Sequence, residues 1–258
     1  MTHVLRLVAL GTRLEVRCTG DSRDLLASSM RLAWSRCLDT DDDTQQPAPA
    51  EAEPVEARLD DPGDLDRRLM LTTQDITRAL ISAQIGSLLM LHAGAVSNPL
   101  TGQSLVYVAA GGTGKTTLTR RLGQRFGYLT DETVGVDEAL TILPYPKPLS
   151  VRRPDGLGPK DEVSPDTLRL ELAPPQPHVA RVVLLDRRPE WVQPEVEEVL
   201  FMDALFALTE QSSSLPRLDR PLHRLGDLID TCGPVLRVRY AESAEIENDL
   251  AHIIGGTR

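Results

Sequence analysis

An α/β fold preceded by a small α+β module is what the sequence predicts, on three observations. A Val-rich run, "SLVYVAA" (104–110), enters a glycine-rich turn, and a helical pattern follows at once. Downstream, the apolar runs "HVARVVLLDRR" and "PVLRVRYA" alternate with the helix-like stretches "EEVLFMDALFALTE" and "PLHRLGDLID". Ahead of all this, a hairpin pattern and one amphipathic stretch precede a long acidic segment.

Taken in order, "HVLRLVAL" and "RLEVRC" flank Gly11 and Thr12 as a hairpin. "SRDLLASSMRLAWSRCL" follows as a helix capped by Ser22, with Leu25, Leu26, Met30, Ala33, Trp34 and Cys37 on one face, Trp34 as core. These elements give a module over residues 1–38. Residues 39–64 hold ten Asp and Glu against Arg58 alone, with repeated prolines, the composition of a solvated linker or disordered loop. The remaining span, 65–258, is assigned to one domain. It opens with "TTQDITRALISAQIGSLLML", a helix capped by Thr72 or Thr73, and continues as "LHAGAVS", a turn at "NPLTG" and the run into the glycines.

The chain has 258 residues and a net charge of −10, nine of those charges inside the acidic segment. That balance argues against nucleic-acid binding. Charges interrupt every apolar run near the N-terminus, so neither a secretory signal nor a membrane span is expected, and a cytoplasmic location is. Cys18, Cys37 and Cys232 are far apart and odd in number, which fits reduced thiols rather than a disulfide framework or a metal set.

"AAGGTGKTTLTRRL" (109–122) nearly repeats G-x-x-x-x-G-K-[ST], with Ala109 at the first glycine position. In that pattern the backbone of Gly111, Gly112, Thr113 and Gly114 faces phosphate oxygens. Lys115 reaches the β and γ phosphates, and Thr116, followed by Thr117 in the first helical turn, offers its hydroxyl to Mg²⁺. Leu118, Leu122 and Phe126 give the helix its apolar face, with Gly127 as its stop. ATP and Mg²⁺ are thus the expected ligands.

Phosphoryl transfer also needs a carboxylate to receive the acceptor proton and cations for the transferring group. Asp131 and Glu132, in the strand-like "YLTDETVGVD", suit the base and metal jobs; the bland reading is a solvated strand edge. Asp186, which ends the run "VVLL", is the rival carboxylate. His92 would sit near Asp131 if its strand pairs beside the phosphate-loop strand; otherwise it is a hydrogen-bonded core histidine. "TILPYPKPLSVRRPDGLGPKDEVSP" is dense in Pro and Gly, reads as a long functional loop, and carries Lys147, Arg152 and Arg153 as candidate clamps for phosphate or substrate.

Together, "LHAGAVS", "AAGGTGKTT", "YLTDETVGVD" and "PYPKPLSVR" resemble the C-terminal kinase domain of the HPr kinase/phosphorylase family, including HPr-kinase-like relatives that accompany lasso-peptide and other modified-peptide gene clusters. The likeness spans roughly residues 70–255. It implies a phosphate-loop core of the HPr kinase / phosphoenolpyruvate carboxykinase type, with His92 before the loop and Asp131-Glu132 where the family has Asp-Asp. Asp131 then looks like the base for an acceptor serine. "RRPDGLG" only faintly echoes the family's signature loop, so a kinase without efficient phosphorylase activity is implied. The family often forms rings, which makes a homo-oligomer an expectation of the resemblance.

The leading expectation is therefore an ATP- and Mg²⁺-dependent kinase acting on a Ser or Thr hydroxyl of a peptide or small protein. A carboxykinase-like or small-metabolite phosphotransferase is the second reading. A nucleotide-responsive binding protein, in which ATP orders the 144–165 loop without transfer, is the third. An ABC-type ATPase is disfavoured because no "LSGGQ"-like segment occurs.

Overall fold

The structure, a computed structural model, describes residues 2–39, 49–153 and 156–255. Along the chain run β1 (His3–Ala9), β2 (Thr12–Thr19), α1 (Arg23–Ala33), β3 (Ala50–Glu51), β4 (Val55–Arg58), α2 (Leu65–Ala83), β5 (Leu89–Ser97), β6 (Gln103–Val108), α3 (Lys115–Leu122), β7 (Gly127–Thr130) and β8 (Thr133–Val136). Then come β9 (Ile142–Leu143), β10 (Leu149–Val151), β11 (Asp161–Val163), β12 (His178–Arg187), β13 (Glu195–Glu198), α4 (Phe201–Glu210), β14 (Ser212–Ser213), α5 (Pro221–Cys232), β15 (Leu236–Tyr240) and α6 (Ser243–Ile253). They make two compact units: Met1–Gln84 with Tyr145–Arg169, and Ile85–Pro144 with Leu170–Arg258.

In the first unit, β1 and β2 pair antiparallel from Ala9↔Thr12 outward. The turn is Leu10-Gly11, one residue earlier than expected, and both residues have positive φ (52° and 63°), the conformation of a type I′ hairpin. The hydroxyl of Ser22 donates to the Asp60 carbonyl, so it does not cap α1 as expected. Trp34 is fully buried, with its ring centroid 6.2 Å from that of Tyr145. Trp34→Ala should cost about 3–5 kcal/mol by urea unfolding, as truncations of large buried rings do; a loss below about 1 kcal/mol would contradict the core role.

The sequence reading of 39–64 as a linker needs correction. Its stretch 40–48 lies outside the described residues, but β3 and β4 add to β2 in parallel, and Leu59 exchanges backbone hydrogen bonds with Thr19 and Ser22. Val55 and Ala57 are buried while Glu56 and Arg58 are exposed, a period-2 pattern diluted by the acids around it. Helix α2 begins at Leu65, and Thr72 and Thr73 are buried inside it instead of capping it. The expected long loop is largely built as well: β10 pairs antiparallel with β11, and the Tyr145 hydroxyl lies 2.7 Å from Thr77 Oγ1 of α2. The chain leaves the second unit after Pro144 and returns at Leu170, so the expected single domain 65–258 contributes to both units.

The second unit is an α/β sandwich around a nine-stranded mixed sheet, ordered β13-β15-β12-β6-β5-β8-β9, with β7 and β14 also pairing to β5. β6, β12 and β15 are parallel to one another; β5 is antiparallel to β6. Both faces are covered. On one, Leu105, Tyr107, Val183 and Val238 pack against Leu118 and Leu122 of α3 and Ile246 and Leu250 of α6. On the other, Val106, Val108, Val182 and Leu184 pack against Leu208 of α4 and Leu225 and Leu228 of α5. Burial on both sides explains why these strands read as continuous apolar runs. Helix α3 is regular to Leu122, short of the expected Gly127, and turns continue the winding to Phe126, whose N–H donates to the Leu122 carbonyl at 2.9 Å and whose side chain joins Leu118 and Leu122 in the core. No helix among the described residues is long and apolar enough to cross a membrane.

Candidate active site

The glycine loop joins the C-terminal end of β6, the middle strand of the parallel and antiparallel neighbours, to the start of α3. Strand ends of this kind are where ligands bind in α/β sheets. Gly112 and Gly114 have φ of 84° and 96°, which L side chains rarely adopt. A Cβ on Gly111 or Gly112 would meet nothing within 4 Å, so the loop's outer side is open to an approaching group. Ala109, at the first glycine position of the motif, has no positive φ, and its methyl is buried with the α3/α6 side of the core. The departure from glycine is therefore accommodated without strain.

Lys115 curls back: its Nζ donates to the carbonyls of Ala109 (2.6 Å) and Ala110 (3.0 Å), closing the loop on itself. Burial pushes its ammonium down to about 8, against the opposing pull of Asp131 and Glu132. The first turn of α3 is braced from β6. There the Tyr107 hydroxyl meets Thr119 Oγ1, which itself donates to the Lys115 carbonyl at 2.9 Å. Tyr107 can lie flat because its cross-strand partner is Gly94, where an added Cβ would stand 2.2 Å from the ring.

Asp131 and Glu132 form a corner between β7 and β8, both of which pair with β5. The register on β5 shifts at Ala95/Val96, and Thr130 Oγ1 accepts the backbone N–H of Glu132 (3.3 Å) and of Thr133 (3.4 Å). That corner turns the 4 %-exposed Asp131 toward the loop: Thr116 donates its hydroxyl to Asp131 Oδ2 at 2.8 Å, and the Tyr128 hydroxyl donates to Oδ1 at 3.4 Å. Sequence spacing left Asp131 and Asp186 as rivals. The structure brings Asp131 to Thr116, while Asp186, at the end of β12, is engaged by Arg188 (3.1 Å to each oxygen) and Arg239 (3.6 Å).

His92 lies on β5, one residue before Ala93, the partner of Val108. Burial lowers its pKa first and the Lys115 charge second, against Glu132, Asp131 and a hydrogen bond with the Glu132 backbone. The three cations named from the sequence are in the other unit. Lys147 is 1 % exposed and donates to the Pro148 carbonyl, Arg153 is held by Asp161 and Asp66, and Arg152 is exposed.

Tyr128 and Tyr240 were missed by sequence reasoning. Tyr128 sits three residues before Asp131 in the strand already singled out, so its pairing could have been sought there. Tyr240, whose hydroxyl donates to the Thr113 carbonyl at 2.9 Å, lies 127 residues away, and no local pattern marks it. The three thiols are buried and free, with burial raising Cys18 and Cys232 to about 11 and Cys37 to about 12. No cluster of three or more His, Cys, Asp or Glu suited to a metal occurs among the described residues.

Among solved structures, the chain is similar to the Hpr(Ser) kinase/phosphatase from Coxiella burnetii, at 12% identity over 64% of this chain and 99% of that one, with a TM-score of 0.34. No family model and no curated protein matches the chain.

Proposed function

We propose that this protein is an ATP- and Mg²⁺-dependent kinase that transfers the γ-phosphate to a Ser or Thr hydroxyl of a peptide or small protein, with little phosphorylase activity. The observation that carries the reading is the 2.8 Å hydrogen bond from Thr116, the hydroxyl at the start of the glycine-loop helix, to the buried carboxylate of Asp131. One hydroxyl and one carboxylate are thereby set at the mouth of an open glycine loop closed by its own lysine. A peptide hydroxyl as acceptor rests on the sequence resemblance.

In this reading the N–H groups of Gly111, Gly112, Thr113 and Gly114 bind phosphate oxygens, and the N-terminus of α3 adds partial positive charge. Lys115 neutralises charge on the β and γ phosphates. Thr116 and Glu132, with Asp131 alongside, are oxygen donors of the kind Mg²⁺ takes and would hold it; bound there, it would offset charge on the transferring group. Asp131 takes the proton of the acceptor hydroxyl as that oxygen bonds to the γ-phosphorus. The bond from the γ-phosphorus to the β–γ bridging oxygen breaks, and ADP leaves with that electron pair. His92 precedes Ala93, whose N–H donates to the Glu132 carbonyl at 3.1 Å and ties the 131–132 corner to β5.

The test is incubation with Mg²⁺ and γ-labelled ATP, alone and with peptides encoded beside the gene, read by mass spectrometry. One phosphate gained on a Ser or Thr peptide is expected; ATP binding without transfer to any peptide or small hydroxyl compound would overturn the kinase reading.

The lowered pKa of Lys115 makes a further prediction. In the free protein its charge is lost as pH rises through about 8, so kcat/KM for ATP should fall above that pH. Stability should move the other way. Between about 8 and the usual lysine value the unfolded chain binds more protons than the folded one, so unfolding becomes harder as pH rises. The melting temperature of the natural protein relative to Lys115→Met, followed across that window, checks the sign.

A further inference from the structure

The geometry points to Tyr240 as a positioning residue that fixes which way the phosphate loop's N–H groups face, an inference that rests on the nucleotide reading of that loop. In each peptide unit the carbonyl of one residue and the N–H of the next point to opposite sides. Tying a carbonyl back therefore aims the following N–H the other way. Three loop carbonyls are tied in this manner. That of Ala109 accepts from Lys115 Nζ, that of Ala110 from Lys115 Nζ and from Thr113 Oγ1 at 3.0 Å, and that of Thr113 from the Tyr240 hydroxyl at 2.9 Å. The N–H groups thus aimed are those of Ala110, Gly111 and Gly114.

The last of these needs its clamp most. Gly114 sits at φ 96° and has no Cβ, so rotation of the peptide between Thr113 and Gly114 meets little steric resistance and would turn a carbonyl toward the phosphates. Lys115, which holds the two earlier carbonyls, does not hold this one. Tyr240 is well fixed for the task. Its ring is fully buried in the α3/α6 face of the core, and its own carbonyl accepts the N–H of Arg188 at 2.8 Å. Burial raises its phenol to about 12, so the hydroxyl stays a donor across the working pH range. Two residues after the adjoining Ala241, Ser243 Oγ would be 3.4 Å from a Cβ on Gly114, so the start of α6 backs the loop at the same point.

The experiment measures Kd for Mg²⁺·ATP and for ADP by calorimetry, together with KM, kcat and the melting temperature, on the full-length natural protein and on Tyr240→Phe. The variant keeps the ring and removes only the hydroxyl. Kd for both nucleotides is expected to rise about tenfold, near the worth of one hydrogen bond in a charged site, with KM rising by the same factor and kcat falling less than threefold. Unchanged Kd values in Tyr240→Phe would overturn the clamp. A collapse of melting temperature, KM and kcat together would also overturn it, since a packing role alone predicts that. Failure of the natural protein to bind either nucleotide would overturn the reading of the loop itself, a result recognisable before the variant is made.

Discussion

Asp131→Asn is expected to lower phosphoryl transfer by about 10²–10⁴-fold, the usual loss when a required proton acceptor is removed. Asparagine matches the carboxylate in size, so it fits the buried corner, and its amide oxygen can still accept the Thr116 hydroxyl that Asp131 accepts at 2.8 Å. What it lacks is the negative charge and the basic oxygen. ATP binding should therefore change much less than the rate of transfer to peptide. The same exchange at Asp186, which sits against Arg188 and Arg239, should leave transfer within a few-fold of the natural rate. Full activity in Asp131→Asn, or a large loss confined to Asp186→Asn, would reverse the assignment.

Lys115→Ala should abolish detectable transfer, with a loss of at least about 10²–10³-fold, the scale seen when one preorganised charge-stabilising donor is removed. Two effects add. The ammonium that would face the β and γ phosphates disappears, and the carbonyls of Ala109 and Ala110 lose the donor that holds them back. Released carbonyls can turn toward the phosphates, where they repel. Both ATP affinity and rate should fall, unlike Asp131→Asn, which should spare affinity. Lys115→Arg tests the second effect, because a guanidinium keeps the charge but not the compact geometry that reaches two adjacent carbonyls. If calorimetry shows Lys115→Ala binding Mg²⁺·ATP as tightly as the natural protein, the loop does not work as described.

Much of this was legible from the residues. The loop and its flanking strand and helix were readable because each signal is local: glycines where the backbone takes positive φ, a Val-rich run before them, and leucines four apart after them. The adjacent acids of 131–132 were readable as a pair for the same reason, whereas the burial of the three cysteines was not read from the sequence. The acidic segment misled because composition averages over its length: Val55 and Ala57 are enough to seat a strand on β2, and the surrounding carboxylates hid them. Thr72 and Thr73 misled because a cap signal is local: the helix begins seven residues earlier at Leu65, and both threonines lie on its buried face.

The amino-acid order thus settles a glycine-rich turn between a buried strand and a helix, with a carboxylate pair one strand later, since those features need only neighbours within a few residues. Tertiary structure decided the rest. It assigned 145–169 to the first unit, placed Asp131 rather than Asp186 on Thr116, and brought Tyr240 to Thr113 across 127 residues. These outcomes depend on which strands lie side by side. Strand order is set by packing both faces of one sheet at once, a condition on the whole unit that no single stretch of sequence carries.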